Sequence, residues 1–232
     1  MTNRLAAQGV WEKVLELIGD GTGHKILDAP AGAGSFADKL RSTGGNVYEL
    51  DISLSDYSSN NRVVGDLNDF LPYKNEVFDK IVSVEGIEHT ENPKAVIGEF
   101  SRVIKTGGVL ILTTPNILNV RSRIKFLLTG CLFWFGNNAI EKYGHITPLS
   151  LYHLEYFCHK NGFKIVGLFF NRKRFWMRLL APCLKVFGSV FRERFNRKDI
   201  LAGEILILKL VKEPLPVSGR QKNSPIPQVF NL

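Results

Sequence analysis

The chain has 232 residues, of which 44% are hydrophobic, so it suits one domain with a sizeable core and is shorter than two full domains usually need. Its 30 Lys and Arg residues outnumber 22 Asp and Glu, and the formal charge of +8 favours polyanionic partners such as nucleic acid, an anionic membrane or phosphorylated substrates. Three widely spaced cysteines without a CxxC pair argue against a disulfide framework or a cysteine-rich zinc site, as expected in a reducing cytosol.

Apolar periodicity and turn residues divide the chain into alternating helices and strands. The first helix is predicted over 5–18 and ends at the glycine-rich run 19–23, and a second follows a glycine-rich loop and ends at Arg41. In the last predicted helix, Thr147 is expected as the N-cap and Pro148 as the first helical residue. The later helices are predicted over 92–104, 117–128 and 147–162. The predicted strands are 25–29, 46–50, 62–64, 78–84, 109–113, 163–170 and 204–211.

Strands that alternate with helices at this pitch predict an α/β fold, a doubly wound parallel sheet covered by helices on both faces. No segment recurs at a fixed period, which argues against a repeat architecture. We expect a single domain over 1–212 that carries a basic, apolar insertion at about 171–198. The proline-rich end of the chain, 213–232, is predicted to be a disordered tail.

A glycine-rich turn follows the first predicted strand and opens a helix. Gly32 and Gly34 in this turn allow the backbone to approach a ligand closely. Asp51 ends the next strand, where a carboxylate can accept hydrogen bonds from both hydroxyls of a ribose. The combination predicts a nucleoside-binding site, and a plain tight turn between strand and helix is the alternative.

The residues of the turn also discriminate between nucleoside cofactors. A dinucleotide site would place a third glycine at position 37, which is Ala37 here. Asp28 lies just before the turn, where its charge would repel a diphosphate and attract the ammonium group of a methionine moiety. The pattern therefore favours S-adenosylmethionine (SAM) over NAD.

Segment 26–36 resembles motif I of class I SAM-dependent methyltransferases, with Pro30 at the position of the first glycine of the usual pattern. Over residues 22–170 the resemblance implies a seven-stranded Rossmann-like sheet whose last strand is antiparallel. It also implies that Asp66 contacts the adenine amino group. Further blocks of that family follow in order at 47–53, 65–67, 78–82, 102–108 and 113–116. The residues expected to bind SAM are Asp28, Ala29, Gly32, Gly34, Asp51, Ile52, Asp66, Leu67 and Glu85.

A second group of polar residues follows the fourth predicted strand, in Glu85-Gly86-Ile87-Glu88-His89. Two carboxylates and an imidazole this close can bind a divalent cation, and His145 in a later loop can complete the set. This pattern resembles the ubiquinone-biosynthesis O-methyltransferases and the small-RNA 3′-terminal 2′-O-methyltransferases. The resemblance implies that Glu85, Glu88, His89 and His145 hold a metal ion, Mg²⁺ or Zn²⁺.

Two alternatives to a metal site stay open for this group. His89 and Glu88 can act as catalytic residues without a metal, with His89 as the general base. In a purely structural role, both residues would cap the helix predicted to begin near Asn92 and bind loop backbone.

Two segments combine basic and apolar residues. Residues 171–198 contain nine Lys or Arg and a single acid, Glu193, interleaved with aromatic and aliphatic residues, and 117–135 has a similar character. Such segments can lie in a membrane interface, bind nucleic acid, or face the core with a solvated basic side. The sequence shows no signal peptide and no apolar run long enough to span a membrane. We therefore expect a cytoplasmic protein in peripheral contact with the inner face of an anionic membrane.

The function predicted from these patterns is SAM-dependent O-methylation of a hydroxyl on a small-molecule or lipid-linked acceptor, such as a sugar, a glycolipid or a quinone-like molecule. An RNA 2′-O-methyltransferase is the first alternative, and the lack of a recognisable RNA-binding module counts against a nucleic-acid partner. A catalytically silent SAM-binding protein is the second alternative, and an NAD-dependent enzyme is the third.

Overall fold

The computed structural model describes residues 9–53, 59–171 and 203–214. In these residues seven strands form one sheet in the order β3-β2-β1-β4-β5-β7-β6. The strands are β1 (Lys25–Asp28), β2 (Asn46–Asp51), β3 (Arg62–Val64), β4 (Phe78–Ser83), β5 (Ile104–Pro115), β6 (Phe163–Phe170) and β7 (Ile205–Lys212). Strands β1 to β5 pair in parallel, and β7 pairs antiparallel with both β5 and β6. The α/β fold class predicted from the sequence is confirmed.

Helices cover both faces of this sheet. Val14 of α1 and Leu40 of α2 are buried in one apolar cluster with residues of β1, β2 and β4. Phe100 of α3 and Leu154 of α6 are buried in a second, larger cluster on the other face. The helices are α1 (Val10–Ile18), α2 (Ser35–Arg41), α3 (Pro93–Val103), α4 (Val120–Thr129), α5 (Asn137–Tyr143) and α6 (Leu151–Lys160), and a 3₁₀ turn covers Ile87–His89.

The strand order reverses direction between β1 and β4. The chain runs outward to β2 and β3 on one side of β1, and continues from β4 to β5 on the other. Loops that leave the carboxyl ends of the strands therefore diverge at this point and open a crevice, which is where open α/β sheets bind ligands. The glycine-rich turn and the loop after β4 flank this crevice.

Two local predictions are wrong: the cap of the last helix before β6 and the start of β5. The predicted cap Thr147 lies outside the helix: α6 begins at Leu151, and Ser150 accepts the backbone N–H of His153 as its N-cap. Thr147 instead donates its hydroxyl to the backbone oxygen of Thr90, 2.6 Å away, because this loop is tied to the 3₁₀ turn.

Strand β5 begins at Ile104, earlier than the predicted 109–113, because Ile104 already pairs with Phe78 of β4. Helix α5 is an element that the sequence analysis did not predict.

The predicted insertion at 171–198 and the predicted tail at 213–232 lie almost wholly outside the described residues and stay predictions. Within the described ranges, the structure contains no helix with both the length and the apolar content needed to cross a membrane.

Candidate active site

The glycine-rich turn connects β1 to α2 at the crevice. Gly32 and Gly34 have φ of 54° and 83°, in the left-handed region that side chains other than glycine rarely adopt. A β-carbon added to Gly32 would meet no other atom within 4 Å, so this edge of the turn faces open space. The sequence thus places glycine where the backbone itself can contact a ligand.

Asp51 ends β2 beside this turn. Its carboxylate accepts the backbone N–H of Gly32 at 2.7 Å and that of Ser53 at 3.2 Å, and only 9% of the residue is exposed. The following residue, Ile52, is 69% exposed although it is apolar. The predicted ribose acid therefore lies at the strand end, next to an open apolar side chain that can cover the face of a base.

A buried ion network on β2 and β3 supports the turn, and the sequence analysis missed it. Glu49 is fully buried and accepts hydrogen bonds from Arg41, from Ser59 at 2.7 Å and from Arg62 at 3.1 Å. Another nitrogen of Arg62 donates to the carbonyl oxygen of Gly32 at 2.6 Å. Arg62 thus holds the carbonyl of Gly32, while Asp51 holds its N–H. A glutamate between Tyr48 and Leu50 in the middle of a buried strand is the signal that could have revealed this network.

Asp28 and Ala29 form the buried start of the turn. Asp28 is 1% exposed, and its Oδ2 atom has no hydrogen-bond partner. Burial, followed by the charges of Glu49 and Asp51, raises the pKa of Asp28 well above its usual range. A cationic group placed beside this carboxyl would be stabilised, as expected for the ammonium of a methionine moiety.

Asp66 and Leu67 follow β3 at the same edge of the sheet. The N–H of Gly65 donates to the backbone oxygen of Asp51 at 2.9 Å, which fixes the start of this loop. Asp66 is exposed, and its Oδ1 atom accepts the N–H of Asn68 at 2.8 Å. Leu67 is buried in the larger apolar cluster. Of this predicted pair, Asp66 is therefore the one whose side chain is accessible.

The loop after β4 packs directly on the glycine-rich turn. A β-carbon on Gly86 would lie 2.1 Å from Cδ of Pro30, so only glycine fits against this proline. The preceding residue, Glu85, has a φ of 48°, and its N–H donates to the Thr113 hydroxyl on β5 at 2.9 Å. The contact between Pro30 and Gly86 brings the two predicted motifs together.

A later loop delivers His145 to His89. The N–H groups of Ile146 and Thr147 both donate to the backbone oxygen of Glu88, at 3.1 and 3.0 Å, and tie this loop to the 3₁₀ turn. As a result, the rings of His89 and His145 lie 4.8 Å apart between centroids in an edge-to-face arrangement. The order of loops along the chain did not reveal this tie, because it depends on hydrogen bonds between backbone atoms 58 and 59 residues apart.

Both imidazoles are oriented by backbone carbonyls. The Nδ1 atom of His89 lies 3.1 Å from the oxygen of Gly144, and that of His145 lies 3.0 Å from the oxygen of Trp134. A carbonyl only accepts hydrogen bonds, so Nδ1 carries the proton in both rings and the Nε2 atoms are left as acceptors. Burial, and next the charge of His89, lowers the pKa of His145, which favours its neutral form.

Glu88 completes this cluster. It is fully buried, and neither carboxylate oxygen has a hydrogen-bond partner of ordinary geometry. Burial, followed by the charge of Glu85, raises the pKa of Glu88 to about 8. One donor atom from each of Glu88, His89 and His145 lies within 4.8 Å of the others. The structure thus brings together three of the four predicted metal ligands, and Glu85 is not part of this group.

Comparisons with known proteins identify the family of this chain. A family model described as a methyltransferase domain matches residues 3–168. The chain belongs to this methyltransferase family. Membership implies SAM as the methyl donor, and the glycine-rich turn with Asp28 and Asp51 fits that cofactor. The predicted class of enzyme is confirmed.

Individual relatives of this methyltransferase are distant. An uncharacterized protein of Methanocaldococcus jannaschii is 34% identical over 132 residues, which cover 55% of this chain and 51% of that protein. The ubiquinone biosynthesis O-methyltransferase of Psychrobacter cryohalolentis is 25% identical over 175 residues, covering 67% and 66% of the two chains. The methyltransferase spans about half the length of the curated relatives that it matches.

A solved structure supports the fold. The crystal structure of a SAM-dependent methyltransferase from Archaeoglobus fulgidus superposes with a TM-score of 0.63 at 18% sequence identity. The match covers 88% of this chain and 93% of that one. At this level of identity the similarity shows a shared fold.

Proposed function

We propose that this methyltransferase transfers the methyl group of SAM to a hydroxyl oxygen of a sugar, a glycolipid or a quinone-like acceptor. The observation that carries the proposal is the cluster of Glu88, His89 and His145, which holds two imidazole acceptors and a buried carboxyl group. The cluster adjoins the cofactor turn through the contact between Gly86 and Pro30. The similarity to a ubiquinone biosynthesis O-methyltransferase supports an oxygen acceptor.

The reaction needs an acceptor oxygen aligned opposite the departing sulfur. SAM supplies an activated methyl group: the new O–CH₃ bond forms as the S–CH₃ bond breaks, and S-adenosylhomocysteine leaves. The acceptor hydroxyl must lose its proton during this step. The Nε2 atom of His89 is an acceptor held in place through the bond from Nδ1 to Gly144, so it can take that proton. Fixing the two reactants in one geometry supplies much of the rate.

A metal-assisted version is the second candidate, and a specific observation favours it. Metal-binding histidines commonly donate their second N–H to a backbone carbonyl, as both His89 and His145 do. Two imidazole nitrogens and one carboxylate suit Zn²⁺ better than Mg²⁺. Glu88, His89 and His145 would hold the ion, which would lower the pKa of the acceptor hydroxyl.

Methyl transfer to a panel of hydroxylated acceptors, with labelled SAM and the full chain, tests the proposal. His89→Ala and Glu88→Gln are expected to lower turnover by about 10²-fold or more while SAM affinity stays within about twofold. His153→Ala on α6 is the matched control, because this exposed histidine bonds Ser150 of its own helix cap and stacks on the ring of Phe157. Normal turnover in both variants, or SAM binding without transfer to any acceptor, would contradict the proposal.

A chelator separates the two versions of the chemistry. If a metal acts, EDTA removes activity, added Zn²⁺ restores it, and His145→Ala is as damaging as His89→Ala. If His89 acts as a base alone, EDTA has no effect on turnover.

A further inference from the structure

An apolar stripe on α4 faces solvent. Ile124, Leu127 and Leu128 are 43%, 84% and 76% exposed, and Cys131 just beyond the helix is exposed as well. These four positions follow the i, i+3, i+4, i+7 spacing by which a surface helix normally faces the core. In α4, however, the buried side is formed by Val120 and Ser122 alone. The apolar side of the helix is therefore turned outward.

The charged residues of α4 itself have one sign. No Asp or Glu occurs between Glu99 and Glu141, a span that includes all of α4. The cations nearest the stripe are Arg123, which is exposed, and Lys125, which is half-buried. Phe126, 54% exposed, adds an aromatic ring at the same end of the helix. Two acids lie close to α4: Glu204 is 3.7 Å from Arg121, and Glu141 of α5 lines the cleft beside Lys125. Exposed aliphatic and aromatic side chains on a helix whose own charges are all basic match the boundary between acyl chains and anionic headgroups.

We propose that the α4–α5 lobe, residues 120–143, docks on an anionic lipid bilayer through the stripe of Ile124, Leu127, Leu128 and Cys131. The ten-residue helix α4 is too short to span a bilayer, so it lies in the interface with its leucines toward the acyl chains. A protein partner with an acidic rim or a second copy of this chain would cover the stripe differently. The basic charges of α4 disfavour a second copy, because two such helices repel one another.

The lobe also borders the reaction site. The backbone oxygen of Trp134 bonds His145, and the Tyr143 ring lies 5.9 Å from the His145 ring. A cleft of about 900 Å³ between α4 and α5 is lined by aromatic rings and by Lys125, Lys142 and Glu141. A docked lobe would present this cleft to lipid-linked acceptors. The presentation of the cleft to such acceptors rests on the proposed function, whereas the docking on the membrane does not.

Vesicle flotation of the full chain tests the docking. The protein is expected to bind phosphatidylcholine vesicles that contain phosphatidylglycerol, to bind pure phosphatidylcholine far more weakly, and to dissociate as salt is raised. The double variant Leu127→Ser/Leu128→Ser is expected to bind the anionic vesicles about tenfold more weakly. Val166→Ser on β6 is the matched control, because this valine is 51% exposed and lies outside the lobe. Its binding should equal that of the wild type.

Three results would overturn the proposal. They are a failure of the wild type to bind anionic vesicles, equal binding by the double variant, and a wild-type dimer in gel filtration that the double variant loses. Equal binding would assign the membrane contact to another segment, such as 171–198. Methyl transfer to water-soluble acceptors, measured on the same variant, is expected to be unchanged, so a failure of docking and a failure of the proposed reaction are distinguishable.

Discussion

At the residue scale, the cofactor site contains a carboxyl group that the fold makes costly to ionise. Asp28 is buried beside Glu49 and Asp51, and its Oδ2 atom has no partner. The folded protein therefore keeps a proton on Asp28 at pH values above its usual pKa of 3.8, where the unfolded chain has released it. Because the folded state then binds more protons than the unfolded state, this group lowers the stability as the pH rises from about 4.

Asp28→Asn removes this pH-dependent penalty. In thermal unfolding without SAM, the melting temperature of the variant minus that of the wild type is expected to increase as the pH rises from about 4 to about 8. Its SAM affinity is expected to fall, because asparagine cannot ionise when the ammonium group binds beside it. Asp69→Asn at an exposed position is the control. A difference in melting temperature between variant and wild type that stays constant over this pH range would show that burial does not make Asp28 costly to ionise.

At the element scale, β2 and β3 hold the glycine-rich turn through one ion network. Glu49 and Arg62 face each other in the register of these strands, and Arg62 also bonds the carbonyl oxygens of Gly32 and Ser53. Arg62→Gln leaves the buried Glu49 with one cation fewer and is expected to cost about 3 kcal/mol of unfolding free energy. Denaturant unfolding measures this loss.

A second variant separates the charge effect from the positioning effect. Glu49→Gln/Arg62→Gln removes both charges and should recover part of the stability while SAM binding stays weak, because the bond to Gly32 is still missing. Full recovery of SAM affinity in the double variant would show that Arg62 acts only by neutralising Glu49.

The contact between the loop after β4 and the glycine-rich turn makes a second prediction at this scale. Gly86→Ala would force a β-carbon against Pro30 and is expected to destabilise the protein by about 1–3 kcal/mol and to weaken SAM binding. Gly98→Ala on α3 is the control, because its β-carbon would approach only the side chain of Asn161, at 3.2 Å. Equal SAM affinity in the two variants would mean that the contact does not shape the site.

At the scale of the whole molecule, the succession of helices and strands along the chain and the cofactor turn could be predicted from the sequence, because both depend on short-range signals. Apolar runs that alternate with segments of helical periodicity indicate a parallel sheet. Glycines after the first strand, followed by an acid at the end of the next strand, indicate the cofactor turn. The partners of Glu49 depend on strand register, and the approach of His145 to His89 depends on backbone bonds from residues 146 and 147 to Glu88. Such long-range pairings leave no local pattern in one sequence.

Calorimetric titration of SAM into the wild type and into Asp51→Ala tests the central claim most directly. Asp51 fixes the N–H of Gly32 and lies where the ribose hydroxyls are expected, so its loss should weaken SAM binding by about tenfold or more. Binding to the wild type that drops in this variant, with NAD producing no heat in either, is the predicted result. Equal SAM affinity in the two proteins, or no binding to the wild type, would contradict the assignment of this crevice as the cofactor site.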